Sequence, residues 1–216
     1  MEQSIDILGA SGAALSMIFE LITQQPNTSS VRIIKNVLER TEIAFAVENL
    51  SYDILQVSDV NKLAQKLFLG VYKENTKKIV YNFFQKRFQF DDGQFINLIH
   101  PSAVIASTAE IGKGIQINPM STIASYAVIE NFVSINRHVS VGHHTTVGRF
   151  STLNPNVHIA GHCHIEEGVT MGIGATVVDS IQIGKNSIIG AGALVTKNIP
   201  AGVVVMGIPA KIVKTL

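Results

Sequence analysis

The chain has a single cysteine, no tryptophan and few charges. Cys163 has no second cysteine for an internal disulfide, so we expect a reducing, cytoplasmic setting. Lysine plus arginine number 17 and aspartate plus glutamate number 16, a balance that disfavours a nucleic-acid groove or a polybasic membrane anchor. No apolar run reaches the roughly 18 residues of a transmembrane helix, and the first residues lack the basic region of a secretory signal. These absences favour small molecules as partners.

Aromatic residues become scarce after the first part of the chain. Eleven of the fourteen precede residue 96, and only Tyr126, Phe132 and Phe150 follow. Residues 105–200 also contain only ten charged side chains. Since a core without aromatics needs another means of burial, we expect two domains that pack differently, joined near residues 97–101. The predicted boundaries are 1–97 and 98–204, followed by a tail over 205–216.

The second segment is a six-residue repeat. Steps of six from Ile105 to Val195 meet an aliphatic residue sixteen times in sixteen without an insertion, and the residue four places after each is small or aliphatic. A period of six fits neither a 3.6-residue helix nor a hairpin meander. It indicates a solenoid of short strands that stack an aliphatic ladder inside.

The first segment has the pattern of a small α/β unit. We predict strands at 4–8, 31–34 and 66–71 and helices at 13–22 and 74–88. The first strand is followed by Gly9-Ala10-Ser11-Gly12, a turn that leads into the first helix. Strand, glycine turn, helix and strand point to a parallel sheet with nucleotide-binding geometry. Gly9 and Gly12 would let a phosphate approach the backbone, and the helix N-terminal amides would attract it; the turn alone is equally suited to reversing the chain.

The two segments together resemble the hexapeptide-repeat sugar acetyltransferases, which include UDP-4-amino-sugar N-acetyltransferases and sialic-acid O-acetyltransferases. The junction at residues 97–103 (NLIHPSA) and the ending at 207–211 (GIPAK) also look like those of this family. The resemblance implies a Rossmann-like domain that holds a nucleotide-sugar, then a left-handed parallel β-helix with eighteen residues per coil. It further implies a homotrimer with acetyl-CoA bound between neighbouring subunits, and no metal.

The resemblance places the catalytic base at His143. The matching stretch is Val141 to Gly148, in which an acid normally follows the histidine and raises its basicity. Here the next residue is His144, which cannot do so as an acid does. We therefore expect catalysis at His143 with an altered partner at His144.

The resemblance also assigns cofactor and substrate contacts. Acetyl-CoA would run along the two glycine-rich coils and meet Lys211 through its phosphates, while Thr152 stands where relatives often have a cofactor-touching histidine. The nucleotide-sugar would lie at the first turn and after the second strand, where Ala13, Lys35 and Asn36 replace the usual residues. The predicted cofactor contacts are Thr152, Gly172, Ile173, Gly174, Gly190, Ala191 and Lys211, and the predicted substrate contacts are Gly9, Ser11, Gly12, Ala13, Lys35 and Asn36.

The preferred interpretation is an acetyl-CoA-dependent N-acetyltransferase for a nucleotide-linked amino-sugar. Two alternatives stay open: a sialic-acid-type O-acetyltransferase, and a non-catalytic relative that binds nucleotide-sugar. A third, a zinc hydratase like the γ-class carbonic anhydrases, which share the β-helix, needs a histidine 36 residues before His138. That position is Ser102, so the ligand set lacks one member.

Overall fold

The computed structural model describes residues 4–25, 30–36 and 50–216. The chain divides into two compact units, Met1–Leu98 and Ile99–Leu216. Within the described ranges, no helix combines the length and apolar character needed to cross a membrane.

In its described residues, the first unit contains a four-stranded parallel sheet and two α-helices. The elements are β1 (Ser4–Leu8), α1 (Gly12–Thr23), β2 (Ser30–Lys35), β3 (Ser51–Gln56), β4 (Lys66–Leu69) and α2 (Glu74–Phe88), with 3₁₀ turns at Val57–Asp59 and Asp92–Gln94. The strands have the order β3-β2-β1-β4. The predicted α/β class is confirmed. The sequence prediction lacks β3, a largely exposed edge strand without a clear apolar alternation.

A partly buried ion pair joins the two central strands of this sheet. Asp6 on β1 is fully buried, and its two carboxylate oxygens each accept a hydrogen bond from the Arg32 guanidinium on β2, both at 2.7 Å. The backbone N–H of Ala64 donates a third bond to Asp6. The hydrogen bond to Asp6 raises the pKa of Arg32. The paired geometry satisfies a charge whose burial would otherwise be costly.

The second unit is a left-handed parallel β-helix of two-residue strands. The first seventeen strands of this unit each pair with the third strand along the chain and form three sheets, and the last two strands extend one of them, which gives sheets of five, six and eight strands. The strands are β5 (Leu98–Ile99), β6 (Val104–Ile105), β7 (Glu110–Ile111), β8 (Gln116–Ile117), β9 (Thr122–Ile123), β10 (Val128–Ile129), β11 (Ser134–Ile135), β12 (Ser140–Val141), β13 (Thr146–Val147), β14 (Thr152–Leu153), β15 (His158–Ile159), β16 (His164–Ile165), β17 (Thr170–Met171), β18 (Thr176–Val177), β19 (Gln182–Ile183), β20 (Ile188–Ile189), β21 (Leu194–Val195), β22 (Val203–Met206) and β23 (Lys211–Thr215).

The predicted aliphatic ladder forms the core of this unit. Each of the sixteen repeat positions is the second residue of a strand, and it lies beside the residue eighteen places away, as Ile129 lies beside Val147. All are buried except Ile105 and Ile111 in the first coil, which are partly buried. The thiol of Cys163 belongs to this core, and burial raises its pKa.

The coils turn at corners where single residues adopt a left-handed backbone. Because an L-residue with positive φ is strained by its Cβ, such residues normally occur singly, as they do here. The non-glycine residues of this kind in the β-helix are Met120, Tyr126, Phe132, His138, His144, Phe150, Asn156, His162, Ser180 and Asn186. Their spacing in multiples of six means that side chains at one corner stack on each other from coil to coil.

The C-terminal segment predicted as a tail pairs with the β-helix instead. Strand β22 lies parallel to β20, and β23 folds back antiparallel to β22, so both extend the eight-stranded sheet. The apolar residues 203–205 explain this arrangement, since they continue the buried surface past the last coil.

Helix α2 of the first unit contains a buried lysine. Lys77 is only 2% exposed, and burial lowers its pKa to about 7, opposed weakly by the charge of Glu74. The unfolded chain therefore binds more protons than the folded chain between pH 7 and the ordinary lysine pKa of 10.5. The free energy of unfolding should therefore rise with pH from about 7 to 10.5. Below pH 7 the lysine is charged in both states, and the folded protein bears the full cost of burying it.

Replacing Lys77 with methionine should stabilise the protein at pH 7 by a few kcal/mol, because the cost of burying an ammonium disappears. The advantage over the wild type should shrink as the pH rises from 7 toward 10. Urea unfolding of both proteins across this pH range measures the difference in their free energies of unfolding. Lys86→Met, an exposed position on the same helix, is the control; an equal, pH-independent effect at both positions would contradict the prediction.

Candidate functional site

The predicted site residues of the β-helix fall at two different corners. The histidine corner, formed by residues 125–126, 143–144, 161–162 and 179–180, follows the strands of the six-stranded sheet. The glycine corner, formed by residues 154–156, 172–174 and 190–192, precedes the strands of that same sheet. Within one chain the predicted base and the predicted cofactor glycines therefore lie at opposite ends of one sheet.

Three imidazoles converge at the histidine corner. Nδ1 of His143 lies 3.2 Å from Nδ1 of His144. His162, one coil further on, places its ring centroid 4.9 Å from that of His143, edge to face, and 5.0 Å from that of His144, nearly parallel. All three side chains are exposed, so they are open to a ligand.

The rings of Tyr126, His144 and His162 form a stack along this corner. Each residue has a positive φ of 54–59° and is followed by its counterpart eighteen residues later. The centroids of Tyr126 and His144 are 4.9 Å apart. The backbone N–H of His162 donates to the carbonyl of His143 at 2.9 Å, and that of His144 donates to Ser125 at 3.1 Å. Bonds between coils thus fix the spacing of the rings.

Gly161 leaves a gap between the His143 ring and a carboxylate. A Cβ at Gly161 would lie 2.7 Å from Cε1 and 2.8 Å from Nε2 of His143, and 3.1 Å from Oδ1 of Asp179. Any larger residue would displace the imidazole or the carboxylate. Oδ2 of Asp179 accepts a hydrogen bond from the Ser180 hydroxyl at 2.6 Å, whereas Oδ1 accepts none from the described parts of the chain. An acceptor oxygen and a ring nitrogen therefore face one shared space.

Sequence reasoning missed Asp179. The resemblance points to the residue after the histidine for an acidic partner, and that residue is His144. The eighteen-residue coil length would have identified Asp179. Residues 143, 161 and 179 are spaced by eighteen and so occupy the same corner position on three successive coils. With glycine between them, the outer two side chains share one gap.

Most of the predicted cofactor residues lie together at the glycine corner. Gly172, Ile173 and Gly174 stack on Gly190 and Ala191 at the glycine corner, and a Cβ at Gly172 would come within 2.5 Å of the Ala191 nitrogen. Ile173 is 57% exposed there.

The other two predicted cofactor contacts flank this corner. Thr152 is a buried residue of β14, two residues before the corner begins, and it lies beside Thr170 of the next coil. Lys211 is exposed on β23 and pairs with Met206, whose side chain lies against Gly190.

The carboxyl edge of the N-terminal sheet gathers the predicted substrate contacts. Gly9 has a φ of 79°, and its N–H donates to the Ile34 carbonyl at 2.9 Å. The Ser11 N–H donates to the Gly70 carbonyl at 3.0 Å. Gly70, which sequence reasoning overlooked, must be glycine because a Cβ would overlap the Gly9 carbonyl oxygen. The turns after β1 and β4 are thus in contact where the strand order reverses, the place at which open α/β sheets bind ligands.

The remaining predicted contacts surround this edge. Gly12 begins α1 with open space around it, and Ala13 is exposed. Lys35 ends β2 and is only 5% exposed, and Asn36 after it is half-buried. Lys35 therefore belongs to the interior of the edge.

Comparison with known proteins agrees with this architecture. Residues 162–197 match the family described as bacterial transferase hexapeptide (six repeats). No curated protein matches the chain in sequence.

Solved structures of similar fold cover nearly the whole chain. A mutant of perosamine N-acetyltransferase from Caulobacter crescentus, in complex with CoA and GDP-perosamine, is 24% identical, with a TM-score of 0.81 and coverage of 98% of this chain and 97% of that one. The acetyltransferase domain of PglB from Neisseria gonorrhoeae is 22% identical, with a TM-score of 0.83 and coverage of 98% and 100%. WeeI from Acinetobacter baumannii is 26% identical, with a TM-score of 0.78 and coverage of 98% and 100%. The fold expected from the resemblance is confirmed.

Proposed function

We propose that this chain is an acetyl-CoA-dependent N-acetyltransferase that acts on a nucleotide-linked amino-sugar in glycan biosynthesis. The observation that carries the proposal is the gap over Gly161, where Nε2 of His143 and Oδ1 of Asp179 face one space. Two solved proteins of the same fold support the substrate classes. One holds CoA and GDP-perosamine, and the other, the PglB acetyltransferase domain, was solved in complex with acetyl coenzyme A. The single buried thiol of Cys163 suits a cytoplasmic enzyme.

His144 supplies the hydrogen-bond acceptor that an acid would otherwise provide. Of the two proton arrangements for the 3.2 Å contact, only one leaves Nε2 of His143 free to act as a base. In that arrangement Nδ1–H of His143 donates to Nδ1 of His144. His144 then holds the reactive tautomer and ring orientation, and acts as a positioning residue.

The reaction is direct transfer between two bound substrates. The amine nitrogen attacks the thioester carbonyl carbon while Nε2 of His143 removes an amine proton. The C–S bond then breaks, CoA leaves as the thiolate, and the proton on His143 passes to it. The products are the N-acetylated sugar and free CoA. Holding both substrates in contact provides much of the acceleration.

Asp179 favours an amine as the acceptor. Positive charge develops on the attacking nitrogen before its proton is lost, and a carboxylate beside it stabilises that charge. An amine in the gap over Gly161 can also donate its second N–H to Oδ1. A hydroxyl acceptor has no second proton to donate, so this arrangement favours N-acetylation over the O-acetyltransferase alternative.

A complete site requires two copies of the chain. The base lies at the histidine corner and the glycine-rich coils lie at the other end of the same sheet, so we propose that acetyl-CoA binds between adjacent subunits of a homotrimer. Exposed apolar side chains at both corners support this arrangement, Tyr126 at the histidine corner and Met120 and Ile173 on the side of the glycine corner. A ring of three subunits would cover them.

The N-terminal unit is proposed to hold the nucleotide. The contact between the turns after β1 and β4 leaves the start of α1 open at Gly12, where backbone amides can receive a phosphate. Ala13, Lys35 and Asn36 are then the side chains that distinguish this pocket from those of relatives.

His143→Ala should lower kcat by about 100-fold or more, because the general base is lost. The measurement is thiol release from acetyl-CoA with a panel of nucleotide-linked amino-sugars. His158→Ala, an exposed histidine on β15, should match the wild type. A kcat for His143→Ala within a few-fold of the wild type would reject the assignment, and no release by the wild type with any acceptor would favour a non-catalytic binding protein.

Asp179→Asn should lower kcat for an amino-sugar by about tenfold or more while the KM for acetyl-CoA stays unchanged, because charge stabilisation at the nitrogen is lost. Asp179→Glu should recover part of the rate. Glu110→Gln removes an exposed carboxylate from β7 and should have no effect. A loss that appears in the KM for acetyl-CoA instead would mean that Asp179 contacts the cofactor.

Two inactive variants should complement each other if the site lies between subunits. His143→Ala removes the base, and Ile173→Arg blocks the glycine corner at an exposed position. Co-expressed in equal amounts, they should regain about a quarter of the wild-type rate, since one in four random interfaces pairs two intact corners. Activity that stays at the level of the separate variants would show that each site is built within one chain.

A further inference from the structure

The ring nitrogens of His143, His144 and His162 form a potential ligand set. One nitrogen from each ring lies within 4.8 Å of the others, the only group of three or more His, Cys, Asp or Glu in the described parts of the chain that is close enough to hold a metal ion. It differs from the set weighed from the sequence. His138 belongs to the turn before β12 and His143 to the turn after it, so the structure separates those two residues.

The spacing of these nitrogens is close to that of a zinc site. Zinc–nitrogen bonds of about 2.0–2.1 Å place the nitrogens of a tetrahedral site about 3.3 Å apart. The Nδ1 atoms of His143 and His144, at 3.2 Å, already have that separation. His162 needs a rotation of its ring, which stands nearly parallel to that of His144, and its exposed side chain leaves room for one.

The backbone beneath the cluster is rigid, and its surroundings suit a cation. Hydrogen bonds between coils hold the three residues on adjacent turns, as between the His162 N–H and the His143 carbonyl. Oδ1 of Asp179, across the Gly161 gap on the Nε2 side of His143, adds negative charge nearby. Imidazole suits Zn²⁺, Cu²⁺ and Ni²⁺ better than Mg²⁺ or Ca²⁺.

We propose that His143, His144 and His162 form a binding site for a divalent transition metal, with Zn²⁺ as the representative ion, and that its occupation stops acetyl transfer. An ion bound to Nδ1 of His143 leaves the ring proton on Nε2, so Nε2 cannot act as the base and the ion acts as an inhibitor. The inhibition rests on the proposed function, whereas the metal site does not.

Titration of the metal-free, untagged full-length protein tests the site. Calorimetry with Zn²⁺ and visible absorption with Co²⁺ should both give one ion per chain, the Co²⁺ spectrum having the intensity of a tetrahedral complex. His162→Ala should bind at least about tenfold more weakly, since loss of even an outer-shell partner costs about 10–100-fold in affinity. The matched control is His164→Ala, which removes an exposed histidine two residues away and should bind as the wild type does.

An activity assay tests the inhibition separately. Zn²⁺ should inhibit the wild type and a chelator should restore it. The Zn²⁺ concentration for half-inhibition should rise at least about tenfold in His162→Ala, relative to that variant's own uninhibited rate. Equal metal binding by the wild type and His162→Ala, with both folded by circular dichroism, would overturn the proposal. Metal binding without transfer activity would refute the proposed function alone, and activity without metal binding would refute this inference alone.

Discussion

The hydrogen bonds between successive coils are the constraint on which the β-helix depends. They pair each residue with the one eighteen places later, as Ser140–Val141 pairs with His158–Ile159. A substitution is therefore never isolated, because it changes a column of stacked side chains. In the interior the columns consist of aliphatic or small side chains, which explains the absence of aromatics from the ladder. At the histidine corner the column is exposed and carries polar groups.

The candidate site is a product of the same register. Tyr126, His144 and His162 stack because each occupies the left-handed position of its turn, and His143 and Asp179 share a gap because Gly161 between them has no side chain. The strain of a non-glycine left-handed residue, about 1–2 kcal/mol, recurs at the turns that lack glycine and is offset by the bonds between coils. The side chains that can act together at this corner are therefore those eighteen residues apart in the chain, in addition to sequence neighbours.

This explains which features the sequence predicts and which it does not. The sixteen aliphatic steps predict the ladder because its period is strict, and strand β1 and helix α2 are predicted with the bounds that the structure has. Strand β3 is missed because it is an exposed edge with little patterning. Asp179 is missed because it lies two coils away from His143 along the chain. Gly70 is missed because it must be glycine only through its contact with Gly9, in the turn after a different strand.

The resemblance to sugar acetyltransferases implies an acid where this chain has His144, and under the proposed function the histidine has two physical consequences. A neutral imidazole can still accept the Nδ1–H of His143 and so preserve its orientation, but it cannot offer the negative charge of a carboxylate. Asp179 supplies that charge from two coils away, on the side of Nε2 where an amine would react. The same exchange converts an acid–base pair into a group of imidazoles, and imidazoles bind transition metals. An arrangement that keeps the base oriented without an adjacent acid thus also makes it sensitive to zinc.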